Sequence, residues 1–171
     1  MGSMNKRIKA FTVLRWLSAL LLLPINVLVI IPAILFDLEI TDLNYWTIWL
    51  SIAIGLPGLV LAMSCVRLFA TLGGGGTPAP WDPIGNLIIA GSYCYVRNPM
   101  LSGVIIMLFS EALFFRSLPF LLYAILFTVI NMVYFPLIEE PGLIKRYGNT
   151  YKDYMKNVPR WIPAAKPYNP E

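Results

Sequence analysis

Residues 91–103 read GSYCYVRNPMLSG and join a polar connection to an apolar run. Arg97 and Asn98 stand directly before Pro99 in this segment. Proline lacks a backbone donor and biases the residue before it toward extended geometry, so the chain is predicted to bend here. The bend places Arg97 close to a membrane boundary, where an arginine either anchors the chain at the lipid surface or binds a ligand.

A second polar pair, Glu139-Glu140, ends another apolar run further along the chain. Two polar clusters at one membrane face can bind a single ligand between them. The alternative for the two glutamates is that both are solvated carboxylates at the start of the following helix, favoured there only by the macrodipole.

The composition is that of an integral membrane protein. Of the 171 residues, 58% are hydrophobic, and the mean hydropathy is +0.69, which is too apolar for one soluble core. The net charge is +4, and the basic residues cluster at the ends of apolar runs, which indicates an anionic lipid surface and no nucleic acid. The chain has no histidine, and Cys65 and Cys94 fit no metal motif, so imidazole chemistry is excluded and no metal is expected.

Four apolar runs predict an all-α membrane protein with about four transmembrane helices. A helix of about 20 apolar residues crosses a hydrocarbon core of about 30 Å. The first two runs lie in an N-terminal region, residues 4–70, and the other two in a second region, residues 71–171. The runs are residues 16–36, 43–66, 100–115 and 117–138.

The distribution of Lys and Arg predicts the orientation. Basic residues precede the first run, flank the long connection of residues 71–99 and follow the fourth run, whereas the opposite turns carry only Arg116. The positive-inside rule therefore places both termini and the long connection in the cytoplasm. We expect residues 71–99 and 139–163 to form a cytoplasmic cap.

The sequence after Glu140 carries an amphipathic helical stripe with a break at Gly148. Its apolar members recur at intervals of three and four residues, as on one face of a helix. Upstream, Asn131 precedes Glu139 by about two helical turns, so the two can share a helix face. The alternative for Asn131 is a packing hydrogen bond between helices. The stripe consists of Leu143, Tyr147, Tyr151, Tyr154 and Val158.

These residues together resemble a known family, the integral-membrane methyltransferases related to isoprenylcysteine carboxyl methyltransferase and, more distantly, to the phospholipid methyltransferases. The resemblance covers residues 84–163. It is carried by Gly91-x-Tyr93-x-x-Val96-Arg97-Asn98-Pro99-x-x-x-Gly103, by Glu139-Glu140-x-x-Leu143 and by Tyr147-Gly148-x-x-Tyr151-x-x-Tyr154-x-x-x-Val158-Pro159-Arg160-x-Ile162-Pro163.

The resemblance implies S-adenosyl-L-methionine as the cofactor, bound by the second region. The cofactor carries an ammonium, a carboxylate and an adenine, which call for a glutamate, an arginine and apolar or aromatic walls. Either glutamate of the pair is expected to bind the ammonium. The cofactor-binding residues implied are Leu87, Ile88, Tyr93, Arg97, Asn98, Pro99, Met100, Leu101, Glu139 and Glu140.

The resemblance also implies a lipid-facing tunnel that admits a lipophilic small molecule or a lipid-modified acceptor. The protein is expected in the inner membrane of a bacterium or archaeon. Arg97 and Asn131 are the catalytic candidates: Arg97 orients the acceptor or the cofactor carboxylate, and Asn131 lines the tunnel. A carboxylate or thiolate acceptor needs no general base, so transfer to a carboxylate, thiol or other soft group on a hydrophobic molecule is favoured. The alternatives are methylation of a phospholipid amine, and a non-enzymatic membrane scaffold.

Overall fold

The computed structural model describes residues 15–19, 21–36, 46–77, 79 and 81–170. Every regular element in these ranges is a helix, which confirms the all-α prediction for the described part of the chain. The start of the second predicted run, residues 43–45, lies outside the described residues.

The N-terminal apolar run is helical and packs on a later helix. A segment with π-type hydrogen bonding, Leu21–Ile30, continues directly into α1, Ile31–Leu35. The Tyr123 hydroxyl donates to the Val27 carbonyl at 3.1 Å, and the rings of Phe36 and Phe120 stack with centroids 5.4 Å apart. These contacts fasten the first apolar run to the second half of the chain.

Helices α2, Trp46–Leu72, and α3, Pro99–Phe114, form the most extensive helix pair. Their backbones approach closely because small residues lie at the crossing: a Cβ atom on Gly103 would stand 2.6 Å from the Gly58 carbonyl oxygen. The Ser110 hydroxyl also donates to the Ser51 carbonyl at 2.7 Å. This packing fixes the start of α3, where Arg97 and Asn98 precede Pro99.

Helix α4, Leu118–Tyr134, begins at Ser117, whose side chain accepts a hydrogen bond from the Phe120 amide. It packs on α3 through a fully apolar core. The buried members of that core are Val104, Leu108, Ala112, Phe120 and Ala124.

A widened π-helical turn, Phe135–Glu139, joins α4 to α5, Glu140–Tyr147, without interrupting the helix. The Glu140 amide donates to the Phe135 carbonyl five residues back, and Pro136 lies inside the turn. The helix predicted after Glu140 is confirmed, with Pro141 in its first turn, and the widened turn joins it to α4. Gly148, with φ +61°, then ends α5 as predicted, and α6 covers Asn149–Asn157.

Within the described residues, two helices are long and apolar enough to cross a membrane, Trp46–Leu72 and Leu118–Tyr147. They correspond to the predicted runs at 43–66 and 117–138, and both continue beyond the predicted ends. Two further apolar helices, Pro24–Leu35 and Pro99–Phe114, are shorter. Large apolar side chains on the long helices are exposed in the isolated chain, as lipid contact requires: Trp49, Leu56, Leu122, Val129 and Val133.

Candidate active site

A cavity of about 250 Å³ lies at one end of the helices. Four parts of the chain enclose it: the connection after α2, the start of α3, the widened turn at Phe135–Glu139, and α5 with α6. Residues far apart in the sequence therefore meet around a single space, as they do in most small-molecule sites.

One wall of the cavity is aromatic. Tyr93 and Tyr154 are buried, and the Tyr154 hydroxyl donates to the Tyr93 carbonyl at 2.7 Å. Burial raises the pKa of Tyr151 to about 12, with a further contribution from the Glu140 charge. Burial also raises the pKa values of Tyr93 and Tyr154. At neutral pH these phenols are protonated, so they can donate hydrogen bonds but cannot act as bases.

Arg97 is held at the cavity by its backbone and by its side chain. The short 3-10 turn Gly91–Cys94 precedes it, and its amide donates to the Pro159 carbonyl at 2.9 Å. Its Nη1 donates to Glu140 Oε1 at 2.5 Å, and its side chain is only 9% exposed. Its Nε is buried and has no hydrogen-bond partner among the described residues, and the same is true of Asn98 Nδ2.

The two adjacent glutamates have different surroundings. Glu139 lines the cavity and is half-buried. Glu140 is 3% exposed and accepts hydrogen bonds from Arg160 Nε and Nη2, each at 2.7 Å, besides the one from Arg97. Glu140 is thus bound by two arginines, whereas Glu139 interacts with the Tyr134 hydroxyl and with the Arg146 charge at the cavity.

Loop contacts hold the connection after α2 against the cavity. The Tyr147 hydroxyl donates to the Ile84 carbonyl at 2.9 Å. Arg15, before the first apolar run, forms a two-bond ion pair with Asp82, and this hydrogen bonding lowers the pKa of that carboxyl. The connection is therefore tied both to α5 and to the N-terminal helix.

The structure brings eight of the ten predicted cofactor residues to this cavity. In the described part of the chain, neither Pro99 nor Glu140 belongs to its lining, because Pro99 is buried at the start of α3 and Glu140 is enclosed by arginines. Asn131 is not brought to the cavity either, and its Nδ2 donates to the Phe127 carbonyl of its own helix at 2.8 Å. The eight are Leu87, Ile88, Tyr93, Arg97, Asn98, Met100, Leu101 and Glu139.

Sequence reasoning assigned no role to two arginines at the site. Arg146 lines the cavity, with its guanidinium carbon 5.8 Å from the Tyr147 ring centroid. Arg160 contacts Glu140, and this hydrogen bonding raises the pKa of Arg160. The signal for Arg160 was its place in the motif Val158-Pro159-Arg160.

Over the described ranges, no group of three or more Cys, Asp or Glu residues could hold a metal ion.

Comparison with protein families matches residues 46–150 to the family described as phospholipid methyltransferase. The matched range runs from the start of α2 into α6 and includes most of the cavity residues. No curated protein and no solved structure matches the chain.

Proposed function

The chain belongs to the phospholipid methyltransferase family, and on this premise we propose that it transfers a methyl group from S-adenosylmethionine to a lipophilic acceptor. The observation that carries the proposal is the polar lining of the cavity. Arg97, Asn98 and Glu139 line this cavity, and Arg97 Nε and Asn98 Nδ2 are buried without partners in the described chain.

These groups fit the cofactor. Leaving a buried donor unpaired costs about 1–3 kcal/mol, so two such donors at one cavity favour a ligand that accepts hydrogen bonds there. The cofactor carboxylate is such an acceptor for Arg97 and Asn98. Its ammonium suits Glu139, and its adenine suits the apolar and aromatic wall that includes Leu87, Ile88 and Tyr93.

The cofactor supplies a methyl group that is open to in-line displacement. The chain holds the two reactants together and excludes water, which accelerates such a displacement without any proton transfer. Because Tyr151 remains protonated at neutral pH, it offers a hydrogen-bond donor to this space and no base. The residue set therefore favours an acceptor that needs no deprotonation in the site, such as a carboxylate or thiolate.

The proposed acceptor is a hydrophobic molecule with a carboxylate or thiolate, entering sideways from the bilayer. A phospholipid amine is the second candidate, and the description of the matching family favours it. An amine must arrive neutral or lose its proton to Glu139, the carboxylate that lines the cavity.

The proposed topology has four spans, with both termini and the cavity on the cytoplasmic side of an inner membrane. Single cysteines replacing Arg116 and Lys166, introduced into a Cys65→Ala, Cys94→Ala background, are expected to react from opposite sides of the membrane. Both positions are exposed, so failure of access should not obscure the result. Labelling of both from the same side would contradict the topology.

The function is tested with the purified protein in detergent. We expect calorimetry to show one binding site for S-adenosylhomocysteine, the demethylated cofactor. Radiolabelled S-adenosylmethionine is then expected to label prenylcysteine analogues or lipophilic thiols. Label found only in phosphatidylethanolamine derivatives would make the second candidate the acceptor. A protein that binds no cofactor would contradict the proposal as a whole.

A further inference from the structure

Glu140 joins two arginines that come from different parts of the chain. Its Oε1 accepts from Arg97 Nη1 and from Arg160 Nε, and its Oε2 accepts from Arg160 Nη2. The Arg160 contact is bidentate, the arrangement that fixes a guanidinium and a carboxylate in one plane. Glu140 is therefore immobilised by Arg160, and it presents one fixed oxygen to Arg97.

The backbone around Arg97 is held by the same C-terminal part of the chain. We call residues 159–168 the C-terminal segment. The Pro159 carbonyl accepts from the Arg97 amide, and the Ala164 and Tyr168 amides donate to the carbonyls of Tyr95 and Cys94, all at 2.9 Å. The C-terminal segment thus follows the turn that carries Arg97 and constrains it along its length.

The three charges do not cancel. One carboxylate between two guanidinium groups leaves a net positive charge, most of it away from water, since the Arg97 side chain is 9% exposed. Glu140 accepts from Nη1 of Arg97, and Tyr151 interacts with the same guanidinium. The Nε of Arg97 is buried without a hydrogen-bond partner among the described residues, and Arg97 lines the cavity. A positive, oriented N–H edge of this kind suits a carboxylate.

We infer that Glu140 and Arg160 are positioning residues that hold the Nε of Arg97 toward the carboxylate of S-adenosylmethionine. The inference rests on the proposed function. Arg160 is not in the cavity lining of the described chain, so it acts through Glu140 and Arg97 and not on the ligand. The C-terminal segment then controls how Arg97 binds the amino-acid end of the cofactor. The adenine is bound separately, by the apolar and aromatic wall of the cavity.

Two ligands separate this role from a general structural one. S-adenosylhomocysteine carries the carboxylate, and 5′-methylthioadenosine lacks the whole amino-acid end. We expect Arg160→Gln to weaken S-adenosylhomocysteine binding about tenfold, while the dissociation constant of 5′-methylthioadenosine changes less than about twofold. Arg160→Lys keeps the charge but not the planar guanidinium that forms two parallel hydrogen bonds. Its affinity for S-adenosylhomocysteine is expected to lie between those of the parent and of Arg160→Gln.

A double-mutant cycle tests whether Arg160 affects S-adenosylhomocysteine binding through Arg97. If Arg160 acts through Arg97, Arg160→Gln has no further effect on S-adenosylhomocysteine binding once Arg97 is replaced by Gln. Lys156→Gln is the matched control: it removes a cation from α6 and breaks an exposed ion pair with Asp153 that has no contact with Arg97. It is expected to bind both ligands like the parent.

Three results would overturn the inference. The first is an equal loss of affinity for both ligands in Arg160→Gln and in Arg160→Lys. The second is additive effects of the Arg97 and Arg160 replacements. If Arg160→Gln fails to fold, Arg160→Lys takes its place in both tests. The third is a parent protein that binds neither ligand, which would refute the proposed cofactor itself and is distinguishable because it appears without any mutation.

Discussion

Replacement of Glu140 by alanine is expected to lower the free energy of unfolding by about 3–5 kcal/mol, because it leaves buried positive charge without a counter-ion. Arg97 is 9% exposed and Arg160 is 29% exposed at the side chain, and both lose their carboxylate partner. Denaturant unfolding of the detergent-solubilised protein measures this loss. Glu140→Gln keeps an oxygen that accepts hydrogen bonds, so its free energy of unfolding is expected to fall less than that of Glu140→Ala.

The control for Glu140→Ala is Asp153→Ala. It removes the carboxylate of the Lys156–Asp153 pair, whose side chains are 73% and 59% exposed, and exposed pairs of this kind contribute little. If Glu140→Ala were no more harmful than Asp153→Ala, the buried charge cluster would not stabilise the fold.

Replacement of Glu139 by glutamine is expected to weaken S-adenosylhomocysteine binding by about 2 kcal/mol, or about thirtyfold. The charge of Glu139 is the feature proposed to bind the cofactor ammonium, and glutamine keeps the size of the side chain while removing that charge. Isothermal calorimetry gives the dissociation constant, and 5′-methylthioadenosine, which has no ammonium, is expected to bind unchanged.

Glu139→Gln and Glu140→Ala separate the two glutamates. Glu139→Gln is expected to lower the affinity for S-adenosylhomocysteine and to leave the free energy of unfolding near that of the parent. Glu140→Ala is expected to lower mainly the free energy of unfolding. Binding of S-adenosylhomocysteine by Glu139→Gln with parental affinity would mean that Glu139 is only a half-buried helix carboxylate.

The sequence predicted the cavity residues near Arg97 because they lie within one short motif. It could not distinguish Glu139 from Glu140, since neighbouring residues of the same type differ only in what surrounds them. The role of Arg160 was hidden for a related reason. Its partner is 20 residues earlier in the chain, and an ion pair across that separation leaves no periodic signal.

The apolar runs predicted the two long helices but not their ends. The second run ends at residue 66, before Arg67, yet α2 continues to Leu72, because a helix does not stop where its residues leave the hydrocarbon. The expected shared face of Asn131 and Glu139 assumed an ideal repeat of 3.6 residues. The widened turn at Phe135–Glu139 lies between them and changes that repeat.

The same widened turn sets the direction in which each later side chain of the helix points around the helix axis. Each α-helical residue advances about 100° around the axis, and a π-turn accommodates one extra residue. With this sequence in an unbroken α-helix, Glu139 would point where Glu140 now meets the two arginines, and Ile138 would take the place of Glu139 at the cavity. Ile138 already lines the cavity beside Glu139, so a shift of one residue would remove the Glu139 carboxylate from the lining and leave apolar side chains there.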